Sequence, residues 1–159
     1  MHLSKPELKL DAKKGLIIFS IFSLINAAIG TIIAVKPNLP SVTPILTTGK
    51  PALEDFLTGN GTALSPPLYL CIMTLVLISL AFQPRVPGRF GVLGLTTLGC
   101  IFLLGELVER NTYRVLNPVT FNLPVVLDVL IEIVIAILMI TFGLITIFRL
   151  RQMHHQTNT

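Results

Sequence analysis

Four stretches of the chain read as apolar runs with few charges: residues 15–35 (GLIIFSIFSLINAAIGTIIAV), about 67–83 (PLYLCIMTLVLISLAFQ), about 88–109 and about 123–148. A helix needs about 20 apolar residues to cross about 30 Å of hydrocarbon, because every backbone group left unpaired in lipid costs several kcal/mol. All four runs approach or exceed that length, the second being the shortest and starting after Pro66 and Pro67. The pattern therefore predicts an all-α, polytopic integral membrane protein, with four transmembrane helices in one bundle forming a single domain over residues 1–159. Lys13, Lys14 and Lys36 bracket the first run. It is longer than the roughly 7 to 15 apolar residues of a signal peptide, and IIAVKPN offers no small-x-small cleavage site, so an uncleaved first helix is expected. Upstream, Ser4 and Glu7 have capping-box spacing, which suits either a short interfacial helix over residues 4–14 or a frayed, solvated terminus.

Orientation follows from the basic residues between the runs. Lys5, Lys9, Lys13 and Lys14 precede the first run, Arg85 and Arg89 lie in the second connection, and Arg149 and Arg151 follow the fourth run, eight in all. The opposite face has Lys36, Lys50, Arg110 and Arg114, four in all. That excess places both termini in the cytoplasm and makes residues 36–66 the large extracytoplasmic loop. Its prolines at 37, 40, 44, 51, 66 and 67 discourage a long helix, although LEDFL suits one amphipathic turn. The NGT at 60–62 fits a glycosylation sequon, which carries meaning only in a eukaryote. The expected location is the bacterial cytoplasmic membrane.

Within the runs, residue size and polarity assign faces. Gly88, Gly91, Gly94, Thr97 and Cys100 recur every three residues in the third run, with Gly99 and Gly105 beside them. Small residues let backbones approach where lipid supplies no hydrophobic drive for association, which marks the third helix as the centre of the bundle. In the fourth run, VVLDVLIEIVIAILMITFG, residues Asp128, Glu132, Ala136, Met139 and Gly143 form one helical stripe. The two carboxylates thus point into the bundle. At about 1.5 Å per residue, Asp128 lies about 7 Å and Glu132 about 13 Å below the outer boundary, level with Asn26 and Cys100, while Glu106 is shallower and Arg110 is at the surface. The candidate site is this intramembrane polar cluster of Asp128, Glu132, Asn26, Glu106 and Arg110.

A charged group near the helix centre costs a few kcal/mol or more, so these carboxylates must be paired, protonated or hydrated. Three arrangements satisfy that condition. In a structural one, Arg110 or Arg114 meets Asp128 or Glu106, and Glu132 is protonated or bonded to Asn26. In a transport one, Asp128 and Glu132 line a hydrated cavity. In the third, they receive a basic or polar residue from another subunit.

Composition narrows the classes further. Of 159 residues, 52% are hydrophobic and 13% charged, with a mean hydropathy of +0.80, far from a soluble domain with roughly 25% charged residues. The net charge of +4 reads as topogenic Lys and Arg with affinity for lipid headgroups, and no basic stripe interleaved with aromatics suggests nucleic acid. Cys71 and Cys100 form no C-x-x-C pair, and His2, His154 and His155 all lie outside the apolar runs. Neither catalytic residues nor a metal or cofactor are expected. The function expected is a non-enzymatic accessory or assembly partner of a membrane complex, embedded in the lipid bilayer with a membrane protein partner; a homo-oligomer is expected for the alternative. The alternative is a small proton- or cation-coupled carrier that uses the intramembrane carboxylates.

Overall fold

The computed structural model describes residues 7–42, 49–109 and 122–156. Its elements are α1 (Glu7–Val35), α2 (Ala52–Thr58), α3 (Leu68–Phe82), α4 (Arg85–Val108) and α5 (Leu123–Gln156). Three of these contain stretches long and apolar enough to cross a membrane: Ala12–Val35, Val86–Val108 and Leu123–Gln152. The helix α3 is equally apolar but has 15 residues, about 22 Å at 1.5 Å per residue. It falls short of the hydrocarbon thickness, so the expected fourth crossing does not follow from helix length alone.

The helix ends have local causes. Before Pro84, Gln83 is held extended at φ −69° and ψ 149°, which stops α3 and turns the chain sharply into α4. The start of α4 at Arg85, ahead of the expected 88, places Pro87 in the first helical turn, where its missing N–H removes no hydrogen bond. At the amino terminus, α1 runs unbroken from Glu7 into the apolar stretch, so residues 7–14 are neither a separate helix nor frayed. Ser4 lies outside the described residues.

Helix α5 packs along α1 on one side and α4 on the other, and α3 packs along α4. The glycine-rich α4 does sit between two neighbours, but α5 shares that central place. A Cβ added at Gly91 would meet the Ala81 backbone, one at Gly94 the Leu77 side chain, and one at Gly99 the Met139 side chain. These contacts explain the glycine repeat as close helix approach. One half of the bundle is filled by Leu16, Ile78, Val92, Leu95 and Met139, all buried. Beside it, Phe19 stacks on Phe142 with ring centroids 5.5 Å apart. Outward faces carry Ile18, Ile25, Leu75, Leu93, Leu130 and Val134, all exposed, as expected where lipid is the solvent.

The other end of the bundle is closed by the connection between α1 and α3. Residues 62–65 are buried, with Ala63 and Leu64 packed against Ala34, Val125 and Val129. Gly30, against which Leu64 rests, lies five residues before the end of α1, so this plug sits about 7 Å below that end. Irregular backbone at such depth requires internal hydrogen-bond partners. It finds several: the Thr62 N–H donates to the Ser65 carbonyl at 2.9 Å, the Ala63 N–H to the Leu39 carbonyl at 3.1 Å, and the Leu64 N–H to Thr62 Oγ1 at 3.2 Å. Two glycines permit the arrangement. Gly61 adopts φ +99°, and a Cβ at Gly30 would collide with the Leu64 carbonyl oxygen. The expected amphipathic turn LEDFL is the body of α2, which lies over this end.

Candidate functional site

The stripe Asp128, Glu132, Ala136, Met139 and Gly143 is buried along its whole length, and it faces a matching stripe of small and polar residues on α1. Ser20, Ser23, Asn26, Gly30 and Ala34, spaced by three or four, fall on one side of that helix and are all buried. Between the stripes lies a clasp. Ser23 Oγ donates to Glu132 Oε1 at 2.7 Å, and Asn26 Nδ2 donates to Glu132 Oε2 at 3.2 Å. The same amide group also approaches the Asp128 carbonyl oxygen, at 3.3 Å. Both oxygens of a carboxylate that is 3% exposed are therefore engaged by side chains of another helix.

Asp128 differs, although it lies on the same face one turn away. It is 4% exposed, and neither carboxylate oxygen has a hydrogen-bond partner among the described residues. Its Oδ2 faces Gly30 beside the Leu64 carbonyl. The arginines expected to pair with it, Arg110 and Arg114, lie outside the described residues. Among the described residues one ion pair is present, between Lys50 and Glu54 on the exposed surface at 3.3 Å, where solvent makes such a contact worth little.

A hydroxyl chain joins α1 to the plug. Thr31 Oγ1 donates to the Ala27 carbonyl at 2.7 Å and lies 2.9 Å from Ser65 Oγ, which in turn is 2.8 Å from Thr62 Oγ1. On the far side of the plug, Glu109 ties the loop to the end of α4. Its carboxylate accepts from Ser41 Oγ at 2.7 Å and from the Val42 N–H at 2.9 Å. Glu109 is buried at 4% exposure, whereas the sequence suggested only a boundary position.

Between plug, α3 and α4 lies a cavity of about 230 Å³. Glu106, Glu109 and Glu132 reach its wall, beside Tyr69, Leu70 and Phe102. Glu106 Oε2 is inaccessible to solvent and has no hydrogen-bond partner. The structure thus brings Asn26, Asp128 and Glu132 into one cluster and sets Glu106 around the same cavity as Glu132, while Arg110 is not described. Sequence reasoning missed Ser23, Glu109 and the plug residues Thr62 and Ser65. Ser23 carried a usable signal, since it shares the helical stripe of Asn26. Glu109 and the plug carried none, because their contacts join segments distant in sequence through irregular backbone.

Cys71 is half-buried and Cys100 exposed, both as free thiols. Asn60 of the NGT sequon lines the cavity, and Thr62 is buried in the plug. No group of three His, Cys, Asp or Glu side chains among the described residues is placed to hold a metal ion. In comparisons with protein-family models, curated proteins and solved structures, nothing matches the chain.

Proposed function

We propose that the protein is a four-span, non-catalytic integral membrane protein, with both termini cytoplasmic, that serves as an accessory or assembly partner in a membrane complex. In this reading α3 is the short second crossing. The extended Pro66 and Pro67 and the buried plug occupy the depth that its 15 residues leave uncovered. The excess of basic residues at both termini and in the α3–α4 turn supports the orientation. A bacterial cytoplasmic membrane is the location proposed.

The observation that carries a structural role over transport is the state of Glu132. Both of its oxygens are held by Ser23 and Asn26, and beyond it the bundle is closed by Leu16, Leu95 and Met139, each with no exposed surface. A coupling carboxylate has to be reached from both sides in turn; this one is clasped above a packed apolar half. Outward faces support docking within the bilayer. A Cβ added at Gly105 on α4 would meet nothing within 4 Å, beside exposed Ile101 and Leu104, which leaves room for the close approach of a partner helix.

Extraction in mild detergent, followed by sizing and identification of the chains that co-purify, tests the reading. A stoichiometric heterologous membrane protein is the expected result, and a homogeneous monomer or homo-oligomer contradicts it. The second reading, a proton- or cation-coupled carrier, draws on the unpartnered Asp128 carboxylate and requires ion flux from the purified chain.

A further inference from the structure

We infer that Asp128 is the latch of the plug: its protonated carboxyl group donates to the Leu64 carbonyl oxygen, and its ionisation releases residues 62–65 from the bundle. Two buried groups without partners meet at this point. Neither Asp128 carboxylate oxygen has a hydrogen-bond partner among the described residues. The Leu64 carbonyl oxygen accepts no hydrogen bond from them either, although Leu64 is 2% exposed. Both groups sit against Gly30. A Cβ there would stand 3.0 Å from Asp128 Oδ2 and collide with the Leu64 carbonyl, whose oxygen is turned towards it. Glycine thus keeps open the space that the two groups share.

Counting donors and acceptors decides the protonation state. An ionised Asp128 can only accept, and so can the carbonyl beside it, so both would stay unpaired at a depth where an unpaired charge is costly. As a neutral acid it carries one O–H, and that proton satisfies the Leu64 carbonyl as well as its own hydroxyl oxygen. Natural structures leave few buried polar groups unpaired, and the protonated form leaves only Asp128 Oδ1 without a donor. The titratable groups around Asp128 offer no other way to neutralise it. Glu132 lies one turn along α5 and Glu106 on α4, with Glu109 beyond Glu106 and the Cys71 thiol of α3 near Glu132. On α1 the facing residues are Asn26 and Gly30, and the plug brings Thr62 and Ser65. Under α2, Asp55 Oδ1 is occupied by the Asn60 N–H at 3.0 Å.

The same geometry makes the latch sensitive to pH. When Asp128 loses its proton it becomes a second acceptor facing the Leu64 carbonyl, so the closed plug needs the proton. In the open form water reaches the carboxyl, and each pH unit above about 4, where an aspartate in water titrates, favours that form further. Protection of the plug is therefore complete at low pH and is lost as pH rises. Thr62, Ala63 and Ser65 form part of the wall of the cavity that Glu132 lines, so lifting them admits water to the clasp.

The test uses the whole chain in detergent, where orientation in the membrane plays no part, with Cys71→Ser, Cys100→Ala and a single cysteine at Ala63. Its rate of reaction with a maleimide is divided by that of a single cysteine at exposed Thr58, which removes the pH dependence of the thiol itself. This ratio should rise at least about tenfold between about pH 5.5 and about pH 8.5. Asp128→Asn keeps a donor for the Leu64 carbonyl and cannot ionise, so residue 63 should stay protected at both ends of the range. Glu132→Gln and Glu106→Gln should respond as the parent does, which keeps the test valid should Asp128→Asn fail to fold. Infrared spectra at the lower pH should show a protonated carboxyl group that is lost over the same interval and is missing from Asp128→Asn. Equal protection of the parent at both pH values, a response that survives in Asp128→Asn or vanishes in either glutamine variant, or the absence of that protonated carboxyl group would each overturn the latch.

Discussion

Asn26 on α1 donates through Nδ2 to Oε2 of Glu132 on α5, across 3.2 Å and 106 positions of sequence. The bond joins two helices at the level where α5 would otherwise present a bare carboxylate to hydrocarbon, and Ser23 completes it on the other oxygen. Removing one donor exposes the reason for the pair. Asn26→Ala leaves Glu132 Oε2 buried without a partner and should cost about 1–3 kcal/mol, more than Ser20→Ala, whose hydroxyl bonds only the Leu16 carbonyl of its own helix. Thermal unfolding of the two variants in detergent checks the order.

Gly30 and Leu64 provide a test of the plug. Gly30→Leu forces a side chain into the Leu64 carbonyl and should lift residues 62–65 away from α1, destabilising the chain by about 1–3 kcal/mol. In a background with Cys71→Ser and Cys100→Ala, a cysteine at Ala63 should be unreactive toward a membrane-impermeant maleimide and become reactive once Gly30→Leu is added. Unchanged protection would mean that the plug does not rest on Gly30.

Glycines on α4 should respond in opposite directions. At Gly91 a Cβ meets the Ala81 backbone, so Gly91→Ala should push α3 and α4 apart and lower stability. At Gly105 a Cβ meets nothing, so Gly105→Ala should raise stability by about 0.5–1 kcal/mol through backbone entropy. Leu130→Ile, on a half-exposed outward face, should change it little. Equal Tm values for all three would remove α4 from the packed interior.

Much of this geometry was legible because helices repeat. The spacing of Asp128, Glu132, Ala136, Met139 and Gly143 marks one face whatever the helix packs against, and the glycine repeat of α4 marks close approach in the same way. Level matching by rise per residue also brought Asn26 to Glu132. Ser23 belonged to the Asn26 stripe and could have been found by the same rule. The plug could not, since Ala63 bonds the Leu39 carbonyl and Ser65 meets the Thr31 hydroxyl from irregular backbone that has no period to read. Glu109 was hidden for a related reason, because its partners Ser41 and Val42 lie in that same loop.

Topology is open to a direct check. Single cysteines at Thr58 and Val86, in the same background lacking native thiols, should react from outside and only after permeabilisation, respectively. Labelling of Val86 in intact cells would reverse the orientation and place the cluster in the inner leaflet.

The central claim is that the clasped carboxylate holds helices together and does not carry ions. Proton and monovalent-cation flux into proteoliposomes, measured beside thermal stability for the parent and Glu132→Gln, tests it most directly. The account predicts no flux above protein-free vesicles in either, with a stability loss for Glu132→Gln of under about 1 kcal/mol, since the amide oxygen still accepts from Asn26 and the Ser23 hydroxyl can accept from the new NH₂ group. Reproducible flux in the parent, abolished by Glu132→Gln at unchanged stability, would contradict it.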